Sequence, residues 1–188
     1  MPLSHPVSEH FDLIIVGAGP AGCTLALHLA ESGLKIAMIE KDRFPRSKIC
    51  GDALSGKVIN ILRRIPGNAF NDFIENIPKV PSHGIRFMSP SMQTLDVPFG
   101  NSSFPGDIAP GYVCSRKVFD QFLFSHVVKC PQINILQGIR VLSVKRGPEH
   151  MIVETDGPTL TAKMVAGADG VHSVVRQNLA GHIQPSDH

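Results

Sequence analysis

Three glycines and one acidic residue near the start of the chain have the spacing needed to hold a ligand that contains phosphate. Gly17, Gly19 and Gly22 form a Gly-x-Gly-x-x-Gly turn, and Glu40 follows eighteen residues after the last glycine. The first glycine of such a turn permits a tight bend, the second lets backbone amides approach a pyrophosphate, and the third lets a helix pack closely against a strand. A carboxylate about 20 residues further on holds the ribose of an adenosine. The spacing therefore predicts a dinucleotide-binding loop.

The residues around the turn predict the elements that position it. Residues 11–16 are an apolar run of strand length, 20–31 carry apolar residues at helical spacing, and 35–40 form a second apolar strand that ends in the acid. In this strand–turn–helix–strand unit, the helix N-terminus offers unpaired N–H groups and the positive end of a dipole to the phosphates. Pro20 and Ala21, at the start of the helix, complete the predicted ligand-binding loop.

The glycine turn does not by itself choose between nicotinamide and flavin dinucleotides. Both ligands carry a pyrophosphate and an adenosine ribose, and the carboxylate of Glu40 suits either. A 2′-phosphate that faced Glu40 would be repelled, so the pocket disfavours NADP. Because glycine-rich turns are common, a turn that binds no ligand is the purely structural alternative.

The composition is that of an ordinary globular protein. The chain has 188 residues, of which 43% are hydrophobic and 18% are charged, and its formal net charge is +2. This balance predicts no strong affinity for nucleic acid or anionic membranes, and no apolar run reaches the ~18 residues of a membrane span. The first ten residues lack a basic-then-apolar signal peptide, which favours a cytoplasmic location. The four cysteines and nine histidines show no metal-ligand spacing, so no metal site is predicted.

The remainder of the chain alternates candidate helices, strands and loops. Residues 41–51 are basic and contain Pro and Gly, which predicts a loop, and Asp52 is expected to cap a helix over 53–65. Residues 78–111 are rich in Pro, Ser and Gly, which predicts short strands outside the nucleotide-binding core. The other predicted elements are strands at 84–88, 93–98, 112–114, 133–144, 151–155 and 160–165, and helices at 116–129 and 172–179. This order predicts a Rossmann-like α/β core with a parallel sheet, interrupted by a β meander and by part of a second, antiparallel sheet.

A second candidate site follows the last predicted strand. Residues 167–170 read Gly-Ala-Asp-Gly and precede a short helix. Such a turn would project the Asp169 carboxylate and the exposed backbone of Gly170 next to a ligand crevice. Asp-Gly pairs are also common in ordinary turns, and for this pair taken alone an ordinary turn stays the alternative.

Four separated motifs resemble one known family. They are the 17–22 turn with Glu40, the Arg46-x-Lys48-x-Cys50-Gly51-Asp52 loop, Arg116 in Ser-Arg-Lys-Val-Phe-Asp, and Gly167-Ala168-Asp169-Gly170-x-x-Ser173-x-x-Arg176. Together they resemble the FAD-dependent oxidoreductases of the aromatic-hydroxylase type, and within them the geranylgeranyl reductase branch. The resemblance extends over about residues 11–180. Its Asp169-Gly170 motif separates this family from nicotinamide dehydrogenases.

The resemblance implies a role in FAD binding for each matching residue. The resemblance implies that the pyrophosphate is bound by Gly17, Gly19, Pro20, Ala21 and Gly22. It implies that Glu40 binds the adenosine ribose, that Lys41 neutralises phosphate charge and that Arg116 reaches the phosphate and ribose side. It also implies that Val141 contacts the adenine and that Asp169 and Gly170 lie at the ribityl side. Three of these residues have a purely structural alternative. Lys41 could be a solvated cation of the loop, Arg116 a solvated arginine at a helix end, and Val141 an ordinary core valine.

Cys50 is the candidate catalytic residue. In the reductase branch a Cys-Gly pair lies on a loop close to the isoalloxazine ring of the flavin. Arg46, Lys48 and a helix N-terminus beside Cys50 would favour its thiolate, which suggests a role in proton delivery or in tuning the flavin. The alternative is a small side chain that only packs against the flavin.

The resemblance implies a flavin-dependent oxidoreductase. Reduced nicotinamide, NADH or NADPH, would supply the electrons, and carbon–carbon double bonds of a hydrophobic, isoprenoid-like substrate would be reduced. Three alternatives stay open: an FAD-dependent monooxygenase or halogenase, a truncated and non-catalytic nucleotide-binding module, and a dehydrogenase that uses nicotinamide alone.

The chain departs from the family in length. Family members continue after the Asp-Gly turn with a further Gly-Asp motif and most of a substrate domain, whereas this sequence ends at His188. The expected organisation is a flexible lead-in at 1–10, an FAD-binding domain at 11–180 that contains part of a substrate domain at 78–111, and a tail at 181–188. The fold would then be incomplete, either as a fragment of a longer flavoenzyme or as a chain that pairs with a separate polypeptide.

Overall fold

The computed structural model describes residues 9–99 and 108–180. Residues 1–8 of the predicted lead-in, residues 100–107 of the predicted insertion and the whole predicted tail at 181–188 lie outside the described residues. The first strand begins at His10, the last residue of the predicted lead-in. The chain divides into two compact units, the first made of Met1–Arg46 with Leu123–His188 and the second of Ser47–Phe122.

The described residues form helices and strands in alternation. The strands are β1 (His10–Val16), β2 (Ile36–Glu40), β3 (Ala53–Leu54), β4 (Val80–Ser82), β5 (Gly84–Met88), β6 (Thr94–Pro98), β7 (Gly111–Val113), β8 (Ile133–Gln137), β9 (Val141–Arg146), β10 (Met151–Thr155) and β11 (Leu160–Gly167). The helices are α1 (Pro20–Leu29), α2 (Gly56–Arg64), α3 (Ala69–Asn76), α4 (Arg116–Val128) and α5 (Val174–Leu179).

The first unit is built on a six-stranded sheet in the order β8-β2-β1-β11-β10-β9. Strands β8, β2, β1 and β11 are parallel, whereas β10 runs antiparallel to both of its neighbours. All five residues of β2 are buried, as expected for a central strand of a parallel sheet that is covered on both faces. The predicted α/β core is therefore confirmed, and the predicted meander is the β9–β10–β11 part of this same sheet.

The register of the sheet brings three turns to one edge. Val16 at the end of β1 is level with Ile39 of β2 and with Gly167 of β11. Because the carboxyl ends of parallel strands meet at one edge of a sheet, the turns after these three strands lie side by side. In open α/β sheets, ligands bind in the crevice at that edge.

The second unit contains two small antiparallel sheets. Their strand orders are β3-β7-β4 and β5-β6. The fully buried Phe73 of α3 contacts Tyr112 of β7 and Phe119 of α4 edge-on, at ring-centroid distances of 5.8 and 5.9 Å. The expected antiparallel sheet, with its strands at 84–88 and 93–98, is confirmed; α3 and β4 were not predicted.

Two predicted elements have different bounds in the structure. The predicted helix at 53–65 starts later, because residues 53–54 form β3 and Ser55 is the N-cap of α2. Asp52 instead has a carboxylate that accepts the backbone N–H of Arg116, at the start of α4, at 2.9 Å. The predicted strand at 133–144 is divided into β8 and β9 by a turn at Gly138, whose φ is +73°.

Candidate cofactor-binding site

The turn between β1 and α1 has the geometry of a phosphate-binding loop. Gly17 has a φ of +100°, which L side chains rarely adopt, and its N–H donates to the Ile39 carbonyl at 2.7 Å. Gly19 is the N-cap of α1 and brings no side chain to the N–H groups of the first turn, which also contains no acidic residue. The helix therefore presents its backbone donors and positive dipole end at this edge of the sheet.

The Asp169 turn lies directly against the glycine turn. The Ala168 N–H donates to the Val16 carbonyl at 2.8 Å. A Cβ on Gly17 would lie 2.5 Å from the Ala168 carbonyl oxygen, and a Cβ on Gly22 would overlap the Gly17 carbonyl oxygen. The two motifs that are far apart in the sequence therefore form one site where β1 and β11 end, and Gly17 and Gly22 permit this close approach.

Glu40 lies at the end of β2 and faces the same turn. Its side chain is buried, with Oε2 accepting the Ala18 N–H at 2.8 Å and Oε1 accepting the Asp42 N–H at 3.1 Å. The guanidinium of Arg46 lies 3.8 Å from Oε2. Because each carboxylate oxygen can accept more than one hydrogen bond, Glu40 both fixes the backbone of the turn and keeps acceptor capacity for ribose hydroxyls.

Asp169 holds the start of α5 with one oxygen only. Oδ2 accepts the N–H groups of Val174 at 2.7 Å and Val175 at 3.3 Å, and the Ser173 hydroxyl, at the N-cap, accepts the Arg176 N–H at 3.0 Å. Oδ1 is buried and has no hydrogen-bond partner among the residues that the structure describes. A buried acceptor without a partner is costly in a protein alone, and it suits a hydroxyl group of a bound ligand.

A second group of predicted residues lies together in the other unit, at the start of α4. Arg116 donates to both carboxylate oxygens of the buried Asp120, from Nε at 2.7 Å and from Nη2 at 3.0 Å, and this pairing raises the pKa of the guanidinium. The same guanidinium hydrogen-bonds to the exposed Cys50 thiol and lowers its pKa, helped by the backbone at Asp52. The lowered pKa of Cys50 agrees in direction with the predicted thiolate, but the nearby cation is Arg116 rather than Arg46, which pairs with Glu40.

The other residues that the sequence predicts to contact the cofactor are Pro20, Ala21, Lys41, Val141 and Gly170. Pro20, Ala21 and Gly170 lie at the turns described above, with Gly170 at a φ of +85°. Lys41 is exposed at the end of β2. Val141 is the first residue of β9, where it is buried in the core of the first unit. Their roles in binding stay predictions.

Two contacts near Glu40 were not predicted. The Ile139 N–H donates to the Glu40 carbonyl at 3.2 Å, so the turn after β8 lies beside the predicted ribose site. The Arg46 side chain approaches both Glu40 and Gly19. The sequence placed Arg46 in the basic loop and in the motif that contains Cys50, but no local spacing relates its guanidinium to the glycine turn.

The residues present fit a dinucleotide such as FAD. The space in front of Gly19 is open to the described residues, of which only Arg46 comes near a Cβ placed there, with Nη2 at 3.6 Å. Asp169 Oδ1, which has no hydrogen-bond partner among the described residues, could accept a hydrogen bond from such a ligand. The N–H groups in the first turn of α1 could donate hydrogen bonds to the same ligand.

Comparison with known proteins gives the class of this site. The FAD binding domain family matches residues 10–187. The chain is 32% identical to protein FixC of Escherichia coli over 182 residues, which cover 94% of this chain and 41% of that protein. It is 29% identical to the menaquinone reductase of Mycolicibacterium smegmatis over 167 residues, which cover 87% of this chain and 38% of that protein. The crystal structure of p-nitrophenol 4-monooxygenase from Pseudomonas putida superposes with a TM-score of 0.75 at 21% identity, covering 89% of this chain and 43% of that chain.

The fold and the site define an α/β dinucleotide-binding protein. More specifically, the chain belongs to the FAD binding domain family, which the match over residues 10–187 establishes. The chain spans about two fifths of the length of the curated relatives it matches. Within the described ranges, every helix is too short or too polar to cross a membrane.

Proposed function

We propose that this chain is the FAD-binding part of a flavin-dependent oxidoreductase. The single observation that carries the proposal is the junction of the two turns, where Gly17 packs against Ala168 while Asp169 keeps a buried acceptor without a partner. In this proposal the N–H groups after Gly19 bind the pyrophosphate, and Glu40 accepts hydrogen bonds from the adenosine ribose.

The protein's own part in the reaction is to bind and orient the cofactor. Bound FAD would supply the redox chemistry by accepting and passing on electrons. Asp169 Oδ1 would accept a hydroxyl of the ribityl chain, which fixes the cofactor relative to the end of β11. Four further cofactor contacts are proposed. Lys41 would neutralise phosphate charge, Arg116 would reach the phosphate and ribose side, Val141 would contact the adenine, and Gly170 would lie at the ribityl chain.

For the whole protein we favour the monooxygenase class, in which reduced nicotinamide supplies electrons and oxygen is activated. The support is at the level of the fold, which is similar to that of p-nitrophenol 4-monooxygenase. The substrate of the whole protein would be a small hydrophobic molecule.

A reductase of carbon–carbon double bonds in an isoprenoid-like substrate is the second candidate. Two observations favour it: the sequence similarity to a menaquinone reductase, and the exposed Cys50 thiol whose pKa Arg116 lowers. In this reading Cys50 would hold or deliver a proton near the flavin.

Cofactor binding is tested on the 188-residue chain. The protein is purified, mixed with FAD, separated by gel filtration and examined for the visible absorption of bound flavin. Flavin that elutes with the protein is the expected result. A colourless protein that cannot be reconstituted would contradict the proposal and favour a non-catalytic remnant, and binding of NAD without FAD would favour a nicotinamide dehydrogenase.

The reaction class is tested on a longer protein that contains this chain, with a menaquinone as the probe. A monooxygenase forms product only in the presence of oxygen. A reductase oxidises reduced nicotinamide anaerobically, in step with saturation of the substrate.

A further inference from the structure

The thiol of Cys23 contacts the glycine turn from inside the first unit. Cys23 lies near the start of α1 and is fully buried, and its Sγ donates to the Ala18 carbonyl at 3.2 Å. Ala18 is fully buried as well, so water does not reach its peptide oxygen. A buried carbonyl needs a donor from the protein, and the Cys23 thiol supplies one.

The backbone of Ala18 is held on both sides. Its N–H donates to Glu40 Oε2 at 2.8 Å, and its carbonyl accepts the Cys23 thiol. Each of the two peptide planes that meet at Ala18 therefore has a hydrogen bond to a buried side chain, one from β2 and one from α1. The orientation of the turn thus depends on these two side chains as well as on the backbone.

The contact with the thiol decides where the Gly19 N–H points. In a trans peptide, such as the one between Ala18 and Gly19, the carbonyl and the N–H point in opposite directions. Because the Ala18 carbonyl points inward to the thiol, the Gly19 N–H points away from the core. This N–H has no acceptor among the described residues. It is therefore available to a ligand in front of the turn.

The neighbouring proline makes the orientation of this N–H important. Pro20 is the first residue of α1 and has no N–H of its own. The backbone donors left at this end of the helix are those of Gly19, Ala21 and Gly22. Gly19 has a φ of −71°, and rotation of its peptide plane would carry this angle into the positive range, which glycine permits. The residue that leaves room for a phosphate therefore does not by itself keep its peptide from turning over.

We propose that Cys23 is a positioning residue for phosphate binding. Its thiol holds the Ala18 carbonyl inward and thereby keeps the Gly19 N–H directed at the pyrophosphate of the dinucleotide. Cys23 itself does not contact the ligand and acts through the peptide between Ala18 and Gly19. This inference rests on the proposed function of the glycine turn.

The test compares the wild-type chain with Cys23→Ala and Cys23→Ser by calorimetric titration with ADP and FAD. Alanine removes the donor, whereas serine keeps a hydroxyl that can donate to the Ala18 carbonyl. Because a thiol is a weak donor, the alanine variant is expected to bind ADP and FAD about three- to tenfold more weakly than wild type. The serine variant should bind both ligands within about twofold of wild type.

Amide NMR spectra of the same variants give a readout that a loss of packing alone would not move. In the wild-type chain, saturation with ADP is expected to shift the Gly19 amide proton downfield, as a new hydrogen bond to phosphate does, whereas adenosine should leave it in place. In the ADP-saturated alanine variant this shift should be smaller, and in the serine variant it should be restored.

Cys130→Ala is the matched control. The Cys130 thiol also donates to a helix carbonyl, that of His126, at 3.4 Å. Cys130 precedes β8 and so lies at the opposite edge of the sheet from the glycine turn. This variant should keep the wild-type affinities and the wild-type Gly19 shift. Cys23→Val removes the same donor but fills more volume, and it takes the place of the alanine variant if urea denaturation shows that the latter does not fold.

The outcomes separate this inference from the proposed function. Wild-type ADP affinity in Cys23→Ala would overturn the inference, as would a serine variant that binds ADP as weakly as the alanine variant. If the wild-type chain binds ADP but not FAD, the flavin assignment fails, and the ADP series alone decides the role of Cys23. If wild type and the alanine variant bind FAD equally, the flavin assignment stands and only the role of Cys23 is rejected. If the wild-type chain binds neither ADP nor FAD, both are rejected.

Discussion

The three glycines of the loop serve different physical purposes. Gly17 is needed for its positive φ and for its approach to Ala168, and Gly22 is needed because any Cβ would overlap the Gly17 carbonyl oxygen. Gly19 has an ordinary backbone conformation, with φ −71° and ψ −178°, and open space before it. Two of the glycines are thus required by the fold itself, whereas the fold does not require Gly19, which is the position proposed to face the phosphates.

Substitution with alanine should separate these purposes. Gly22→Ala is expected to reduce the free energy of unfolding by about 1–3 kcal/mol, as overpacking does, when measured by urea denaturation. Gly19→Ala should unfold like wild type yet bind ADP and FAD about tenfold more weakly or worse, because its methyl group keeps phosphate from the backbone donors. A Gly19→Ala chain with wild-type ADP affinity would refute the assignment of the phosphate loop.

For individual residues, the sequence predicted those contacts that depend on local spacing along the chain. Gly17, Gly22 and Glu40 lie within one strand–turn–helix–strand unit, so their neighbours follow from the order of the elements. The contact between Gly17 and Ala168 was not predicted, because it depends on the pairing of β1 with β11, which are far apart in the sequence. The contact of Arg46 with Glu40 was not predicted, because the Arg46 side chain packs on Phe44, whose ring stacks on Phe124, a residue far away in the sequence.

At the scale of elements, the start of α4 gathers residues from two parts of the chain. Asp52 has a φ of 55° and accepts the Arg116 N–H, while its carbonyl accepts the Cys114 N–H at 2.8 Å. The turn that carries Cys50 is thereby attached to the N-terminal end of α4. A helix cap was predicted for Asp52, but the capped helix begins sixty-four residues later in the chain. Periodicity identifies helices, but it does not identify which helix a distant carboxylate caps.

This arrangement predicts the pH dependence of alkylation at Cys50. The Arg116 hydrogen bond lowers the pKa of Cys50, so the thiolate persists to lower pH than in an ordinary cysteine. Iodoacetamide should therefore label Cys50 at neutral pH faster than Cys130, whose pKa is raised by burial. The double variant Arg116→Gln, Asp120→Asn removes the cation without leaving the buried carboxylate charged, and it should lower the Cys50 rate several-fold at pH 7 and shift its pH profile upward.

Mass spectrometry of tryptic peptides measures the rate at each cysteine, and Cys50→Ser identifies the fast-reacting site. Arg116→Lys keeps a positive charge and should restore part of the reactivity. An unchanged pH profile in the double variant would show that Arg116 does not control the thiol.

At the scale of the whole molecule, the β5–β6 hairpin exposes an apolar face. Ile85 pairs with Val97 and Phe87 pairs with Leu95 across the two strands, and period-2 alternation places all four side chains on one face. They are between 41% and 63% exposed. The opposite face carries the ion pair between Arg86 and Asp96. The curated relatives are more than twice as long as the matched region, and the isolated chain presents this face to water.

An exposed apolar sheet face of this kind favours association. We expect the 188-residue chain to self-associate with increasing concentration, as measured by sedimentation velocity. The double variant Phe87→Thr, Leu95→Thr keeps β-propensity while removing apolar surface, and it should shift the distribution towards monomer. Met88→Thr, on the opposite face, is the control and should have little effect. A wild-type chain that stays monomeric at the highest attainable concentration, or a Met88→Thr shift as large as that of the double variant, would show that this face does not drive association.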